Sequence, residues 1–158
     1  MHSHPSVVRV TDRLAELGAT GSVKVLDGSA RTAAQAAEQL GIEVAQIANS
    51  LVFSADATPL LVLASGGHRV DTTKVAALVG AASVDRADAD FVRTHTGFAI
   101  GGVAPIGHLT PIDAWLDPKL LTYDVIWAAA GTPNHVFAVA PQALVAATGA
   151  TVADFTAA

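Results

Sequence analysis

The hydrophobic residues near the start of the chain recur with the period of a helix. Polar side chains separate the apolar positions Val7, Val10, Leu14 and Leu17. Their intervals of three and four residues predict an amphipathic helix over residues 6–17, after a flexible N-terminal tail of residues 1–5. A second, alanine-rich helix is predicted over residues 32–40, where Gly41 provides a stop signal.

Short apolar runs rich in β-branched residues, which are typical of strands, follow in the rest of the chain. Strands are predicted over residues 23–26, 46–53, 59–64, 112–116, 125–129, 135–139 and 151–153. Further helices are predicted over residues 72–79, 87–93 and 141–148. Because the two kinds of element alternate irregularly, we expect an α+β (mixed α/β) fold with a mixed sheet, in a single domain over residues 6–158.

The composition excludes several classes of protein. Hydrophobic residues make up 51% of the 158 residues and charged residues 15%, which predicts a folded domain and not a disordered chain. The chain has no cysteine, so disulfides and thiolate chemistry are unavailable. Neither a secretory signal nor a long apolar run is visible, and we therefore expect a cytoplasmic protein with no membrane partner.

The charge balance bears on the possible partners. The formal net charge is −5, and the nine lysine and arginine residues are scattered along the chain. Binding to DNA through many phosphates needs clustered cations, so no DNA partner is expected. The six histidines include no pair at helical ligand spacing within the domain, and we predict no metal site. Monomer and homodimer both stay open.

A glycine-rich stretch is the strongest candidate for a functional site. Residues 97–107 contain four glycines and one proline, Pro105. One interpretation is a tight turn between strands. The other is that the adjacent Gly101 and Gly102 expose backbone N–H groups to a developing oxyanion or a carboxylate, in a loop that Pro105 stiffens.

The same stretch carries a resemblance to a known family. Gly101-x-x-x-Pro105, within the longer segment Gly-Phe-Ala-Ile-Gly-Gly-Val-Ala-Pro-Ile-Gly, resembles the signature of the YbaK-type, prolyl-tRNA-editing domain family. Segments 29–33, 47–53 and 130–134 follow in the order of that family, so the resemblance covers about residues 6 to 155. It implies a barrel-like mixed sheet with helices outside, and hydrolysis in trans of a wrongly charged aminoacyl-tRNA without metal or other cofactor.

The resemblance also implies a set of site residues. The glycine loop would hold the aminoacyl carbonyl while a water molecule attacks it, with a ribose hydroxyl of the tRNA assisting. Family deacylases usually have a lysine where this chain has Asn49, which can donate a hydrogen bond but carries no charge. We expect Gly101, Gly102 and Asn49 to be catalytic. The expected substrate-binding residues are Ser50, Pro105, His135, Arg31 and Ala99, and the further candidate cations are Arg69 and Lys74.

Two functions follow as hypotheses. The first is a free-standing editing hydrolase for a small amino acid, which binds the acceptor end of an aminoacyl-tRNA and has an aminoacyl-tRNA synthetase as a candidate partner. The small apolar residues Ala99, Ile100 and Val103 beside the glycines favour a small substrate. The second is a related module that binds an aminoacyl-tRNA end or a small carboxylate without hydrolysis, which the loss of the lysine at Asn49 favours.

Overall fold

The computed structural model describes residues 4–17, 23–28 and 32–157. In this part of the chain the helices are α1 (Pro5–Glu16), α2 (Ala33–Leu40), α3 (Thr72–Val79), α4 (Ala89–Thr96) and α5 (Pro141–Thr148). The strands are β1 (Val23–Val25), β2 (Ile47–Ala55), β3 (Thr58–Ser65), β4 (Val84–Arg86), β5 (Asp113–Leu116), β6 (Ile126–Thr132), β7 (His135–Val139) and β8 (Thr151–Val152). Short 3₁₀ helices span Val44–Gln46 and Pro118–Thr122.

The strands form one mixed sheet, which confirms the predicted fold class. Their order is β1-β7-β6-β2-β3-β5-β8, and β4 pairs with β2 beside this path. The pairs β2–β6, β3–β5 and β5–β8 are parallel, whereas the other pairs are antiparallel. None of the helices in the described ranges is long and apolar enough to cross a bilayer.

Strand β2 has a gap in its pairing that positions the candidate site. On one side it pairs with β3 from Ala48 to Ala55. On the other side it pairs with β6 only at Ile47 and Ala48, and with β4 only from Phe53 to Ala55. Residues 49–51, here called the β2 window, therefore have no strand beside them on that side.

The two faces of β2 contact different parts of the core. Side chains alternate along a strand, so Ala48 and Val52 point to one face and Phe53 to the other. Ala48 and Val52 belong to the larger hydrophobic cluster, which also contains residues of the glycine-rich loop such as Val103. Phe53 belongs to a second cluster with residues of α3. The larger cluster thus joins the two residues that flank the β2 window to the loop.

Local signals explain most helix boundaries, with small corrections to the predicted ones. Asp71 caps α3 by accepting a hydrogen bond from Thr73 N–H at 2.9 Å, and Gly80 ends it in the left-handed conformation, as predicted. Helix α1 begins at Pro5, within the predicted tail, and His4 accepts a hydrogen bond from Ser6 N–H.

The segment before the glycine-rich loop differs most from the prediction. Strand β4 was not predicted, and the helix predicted over 87–93 begins two residues later as α4. Asp88 accepts a hydrogen bond from Phe91 N–H at 2.8 Å and therefore acts as the N-cap of α4. Strand β4 is short and mostly exposed, so only its pairing with β2 defines it.

Candidate functional site

A cavity of about 480 Å³ opens at the β2 window. Its walls come from α2, β2, β6, the end of β4 and the glycine-rich loop. Asn49 and Ser50 of the window line it together with Gly101 and Val103 of the loop. Small-molecule sites usually have volumes of this order. Residues that lie about 50 positions apart in the sequence therefore meet at one cavity.

The cavity lies where two parallel strands separate. Ile47 and Ala48 of β2 pair with Trp127 and Ala128 of β6, and the strands diverge beyond these residues. Strand β6 then has an irregularity between Ala129 and Thr132, where its register with β7 shifts. The glycine-rich loop approaches β6 at this irregularity and forms the remaining wall.

The two central glycines of the loop have different roles. Gly101 is exposed, has a φ of 89° and lines the cavity. Among the described residues, no backbone partner accepts a hydrogen bond from its N–H. Gly102 N–H, by contrast, donates to the carbonyl of Ala99 at 3.0 Å and closes a turn. This corrects the expectation that both glycines present free donors, and only Gly101 keeps that role.

Gly102 is required for close packing. A Cβ atom at this position would lie 2.9 Å from Thr132 Cα and 3.2 Å from the carbonyl oxygen of Gly131, closer than such atoms normally approach. Gly131, with a φ of 107°, lies against α1. A Cβ atom at Gly131 would lie only 2.8 Å from the Ser6 carbonyl oxygen, so this position also requires glycine. The backbones of the loop, β6 and α1 thus meet at the irregularity of β6.

Arg9 of α1 holds both ends of the glycine-rich loop. Its Nε donates to the carbonyl of Gly107 at 2.7 Å and its Nη2 to the carbonyl of Thr96 at 3.2 Å. The guanidinium also lies 4.3 Å from the centre of the Phe98 ring. These contacts fix residues at the start and the end of the loop to one helix, which limits how far the loop can open.

His108 supports the same loop from its buried side. Its Nε2 lies 2.7 Å from the carbonyl oxygen of Ala104, and its ring packs edge-on against Phe98. Burial lowers the pKa of His108 below its ordinary value of 6.5, and the Arg9 guanidinium lowers it further, although the hydrogen bond to Ala104 acts in the opposite direction. We therefore expect a neutral ring that donates to Ala104 at neutral pH.

Ser50 and Asn49 differ in the direction of their side chains. By strand alternation Ser50 shares the face of Ala48 and Val52, towards the larger cluster, while Asn49 shares the opposite face with Leu51. Ser50 Oγ is buried, and it has no hydrogen-bond partner among the described residues. Asn49 is only half-buried. The two neighbours therefore contribute to different parts of the cavity wall.

Three of the residues predicted to bind substrate do not line this cavity. Ala99 is exposed, and its carbonyl closes the turn of the loop. Pro105 is buried and faces a different cavity, which Arg9 also lines. His135 Nδ1 lies 2.6 Å from Thr132 Oγ1, and its neighbour Val136 lines the cavity in its place, as strand alternation requires.

The predicted cations do not contribute to the cavity wall in the described part of the chain. Arg31 lies outside the described residues. Lys74 of α3 donates to the carbonyl of Thr156 at 2.7 Å, and Arg69 is exposed between β3 and α3. Neither of these two lines the cavity. Across residues 4–17, 23–28 and 32–157, no group of three or more potential metal ligands is found.

Arg86 and Trp127 are site residues that the sequence did not reveal. Arg86, at the end of β4, is the one lysine or arginine among the described residues that line the cavity. It is exposed, and no hydrogen bond or ion pair engages its guanidinium within the described ranges. Trp127 lines the cavity from β6 and packs near α2. The sequence signal for Trp127 was its position within the predicted strand over residues 125–129.

Comparison with known proteins identifies the family. The sequence profile described as "Aminoacyl-tRNA editing domain" matches residues 27–147, and the chain belongs to this family, which confirms the resemblance stated above. A crystal structure of a candidate trans-editing enzyme for prolyl tRNA synthetase has 45% sequence identity and a TM-score of 0.94, over 99% of this chain and all of that chain.

Two curated relatives place the match in context. The candidate Cys-tRNA(Pro)/Cys-tRNA(Cys) deacylase EbsC of Enterococcus faecalis is 29% identical over 126 residues, which are 79% of this chain and 77% of that protein. The proline–tRNA ligase of Limosilactobacillus fermentum is 36% identical over 83 residues, which are 49% of this chain but only 14% of the ligase. The chain is thus similar to most of a candidate deacylase and to a small part of a synthetase.

The close approach at Gly102 predicts a loss of stability. Gly102→Ala would press a methyl group against the backbone of Thr132, and such overpacking costs about 1–3 kcal/mol. We expect a clear decrease of the free energy of unfolding, measured by urea denaturation. Gly28→Ala is the matched control, because a Cβ at Gly28 meets nothing within 4 Å. Equal stability of the two variants would contradict the contact between the loop and β6.

The lowered pKa of His108 predicts a pH dependence of stability. The unfolded chain binds a proton at this residue near pH 6.5, whereas the folded chain binds it only at lower pH, so the unfolded state takes up more protons in this interval. The free energy of unfolding should therefore decrease as the pH falls below about 6.5, until the folded-state pKa is passed.

Replacement of the histidine isolates this contribution. His108→Gln keeps a donor for Ala104 but has no proton to titrate. Denaturation curves at several pH values should show a weaker decrease of stability below pH 6.5 in the variant than in the wild type. An identical pH profile for both proteins would show that His108 does not titrate differently on folding.

Proposed function

We propose that this protein is an editing hydrolase that acts in trans on aminoacyl-tRNAs carrying a wrong, small amino acid. One observation carries the proposal: Gly101 places an N–H without a backbone partner at the mouth of a cavity that the β2 window lines. Membership of the aminoacyl-tRNA editing family and the similarity to the whole chain of a candidate trans-editing enzyme support it.

The geometry suits hydrolysis of an activated ester. The ester carbonyl would lie against Gly101 N–H, which stabilises the negative charge on its oxygen as water adds to the carbon. The ester C–O bond then breaks, the ribose oxygen takes a proton, and the free amino acid leaves. Val52, Val103 and Ala128 provide apolar walls for a small side chain. Positioning and oxyanion stabilisation supply most of what such a reaction needs.

Arg86 is the proposed contact for the tRNA backbone. It pairs with Phe53, four residues along β2 from Asn49, which corresponds to about 13 Å along a strand. Arg86 therefore lies at the far end of the window and does not replace the family lysine beside the ester. Its exposed guanidinium at the rim of the cavity is well placed for a phosphate of the acceptor end, because arginine binds phosphate in a bidentate manner.

A binding module without hydrolysis is the second candidate function. Asn49 favours it, because a neutral amide offers weaker, uncharged hydrogen bonds where the family has an ammonium group. A synthetase is a candidate partner for either function. The similarity to a segment of a proline–tRNA ligase supports this, since an equivalent domain there is part of the synthetase chain.

Single-turnover hydrolysis of mischarged tRNAs tests the proposed function. The panel contains alanyl-, cysteinyl- and seryl-tRNA, and the enzymes are wild type, Gly101→Ala and the control Gly28→Ala. Alanine keeps the N–H at position 101 but disfavours the φ of 89° that directs it into the cavity. We therefore expect release of at least one amino acid by wild type, a decrease on the order of 100-fold for Gly101→Ala and no change for Gly28→Ala. No release from any substrate would favour the binding module. Asn49→Lys then shows whether the missing charge is the cause.

Neutralising Arg86 should weaken binding of the tRNA without slowing the chemical step. For Arg86→Gln we expect KM to increase by about 5- to 10-fold with kcat nearly unchanged, and the salt dependence of kcat/KM to decrease by the equivalent of about one phosphate contact. Arg93→Gln, an exposed position on α4 that does not line the cavity, is the matched control. A decrease of kcat alone would assign Arg86 to the reaction centre.

A further inference from the structure

The buried hydroxyl of Ser50 is unusual in this protein. Other hydroxyls in its interior have partners, since Ser65 Oγ donates to the carbonyl of Ala45 at 2.7 Å and Thr96 Oγ1 to that of Val92 at 2.7 Å. Within the described ranges, Ser50 Oγ is the one buried side-chain oxygen or nitrogen without a partner. A buried polar group without a partner costs about 1–3 kcal/mol, so this position is unfavourable for folding alone.

The surroundings of this hydroxyl are apolar. It points to the same face of β2 as Ala48 and Val52, and the opposite walls of the cavity include Val103 and Ala128. Oγ has almost no accessible surface, so water in the empty cavity does not satisfy it. A ligand hydroxyl that packs against this wall after a rotation of the Ser50 side chain would supply the missing hydrogen bond, whereas an apolar ligand would leave Oγ unsatisfied.

The chemistry of an aminoacyl group limits which atom can provide this bond. The ester carbonyl is directed to Gly101 in the proposed function. The α-ammonium is charged and is costly to bury in an apolar chamber without a counter-charge. A neutral hydroxyl on the side chain can enter the chamber and bond to Ser50, whereas the methyl group of alanine leaves Ser50 Oγ unsatisfied.

We propose that Ser50 determines specificity by hydrogen bonding to a hydroxyl on the side chain of the aminoacyl group, so that the preferred substrates are seryl- and threonyl-esters. This proposal rests on the proposed function. Sites that bond to a substrate hydroxyl reject analogues without it far more strongly than apolar pockets reject an extra group. Preference for seryl- over alanyl-tRNA should therefore depend on one side chain.

The test compares seryl- and alanyl-esters of the same tRNA in single-turnover hydrolysis. For the wild type we expect the seryl ester to react at least about 10-fold faster. Ser50→Ala should remove most of this preference by slowing the seryl reaction much more than the alanyl reaction. Ser50→Thr, which retains the hydroxyl, should keep a preference for the seryl ester.

A matched control separates this effect from a general change of the strand. Ser54→Ala makes the same substitution on β2 outside the cavity and should leave both rates unchanged. The Ser50→Ala variant should fold, because it removes an unsatisfied buried group, and its unfolding midpoint should be equal to or above that of the wild type. Equal slowing of both esters by Ser50→Ala, or no slowing of either, would overturn the proposal.

A binding measurement distinguishes failure of this proposal from failure of the proposed function. The probes are adenosine analogues that carry serine or alanine through a stable 3′-amide, titrated by calorimetry. If no ester is hydrolysed but the seryl probe binds about 10-fold more tightly to wild type than to Ser50→Ala, hydrolysis is excluded and the specificity proposal stands. If the two probes bind equally to wild type, or neither binds, the specificity proposal is wrong.

Discussion

The interrupted pairing of β2 is the constraint on which the site depends. A strand inside a sheet normally has both edges occupied by neighbours, and here one edge is shared between β6 and β4 with residues 49–51 between them. Because β3 pairs along almost the whole length of β2, the strand stays extended across this gap. The sheet thereby provides a rigid wall with an accessible edge, which is more precise than a site made from loops alone.

The opposite wall is a loop, and its rigidity has to come from elsewhere. Arg9 donates hydrogen bonds to the carbonyl groups of Thr96 and Gly107, at the start and the end of the loop. The His108 ring bonds to the carbonyl of Ala104, which lies between these two residues in the sequence. Glycine at position 102 allows the loop to contact β6 directly, while glycine at 101 allows the backbone conformation that exposes an N–H. A donor held in this way needs little reorganisation when charge develops on a substrate, which is the main requirement for oxyanion stabilisation.

Elements whose ends are determined by local signals, such as a capping residue or a terminal glycine, could be predicted from the sequence. The cap at Asp71 and the glycine at 80 define α3, and the alternating runs define β2 and β3. Strand β4 could not be predicted, because two of its three residues are exposed and polar and its conformation depends on pairing with β2.

The site was predictable in part for similar reasons. The resemblance located Gly101, Asn49 and Ser50, which all line the cavity. The use of Gly102 N–H in a turn, the burial of Pro105 away from the cavity and the isolation of Ser50 Oγ depend on the path of the loop in space. Sequence spacing does not report that path, and neither does it show that Arg86 comes to the rim through β4.

Helix α1 lies outside the segment that defines the family, which spans residues 27–147. Yet this helix supplies Arg9, and its Ser6 carbonyl packs against Gly131 where β6 receives the loop. A fragment trimmed to residues 27–147 would keep every residue named at the cavity wall. It would lose the contacts of α1 with the glycine-rich loop and with β6. The structural unit that forms this cavity is therefore larger than the family segment, and transferring the segment into another chain would require the host to supply equivalent contacts behind the loop.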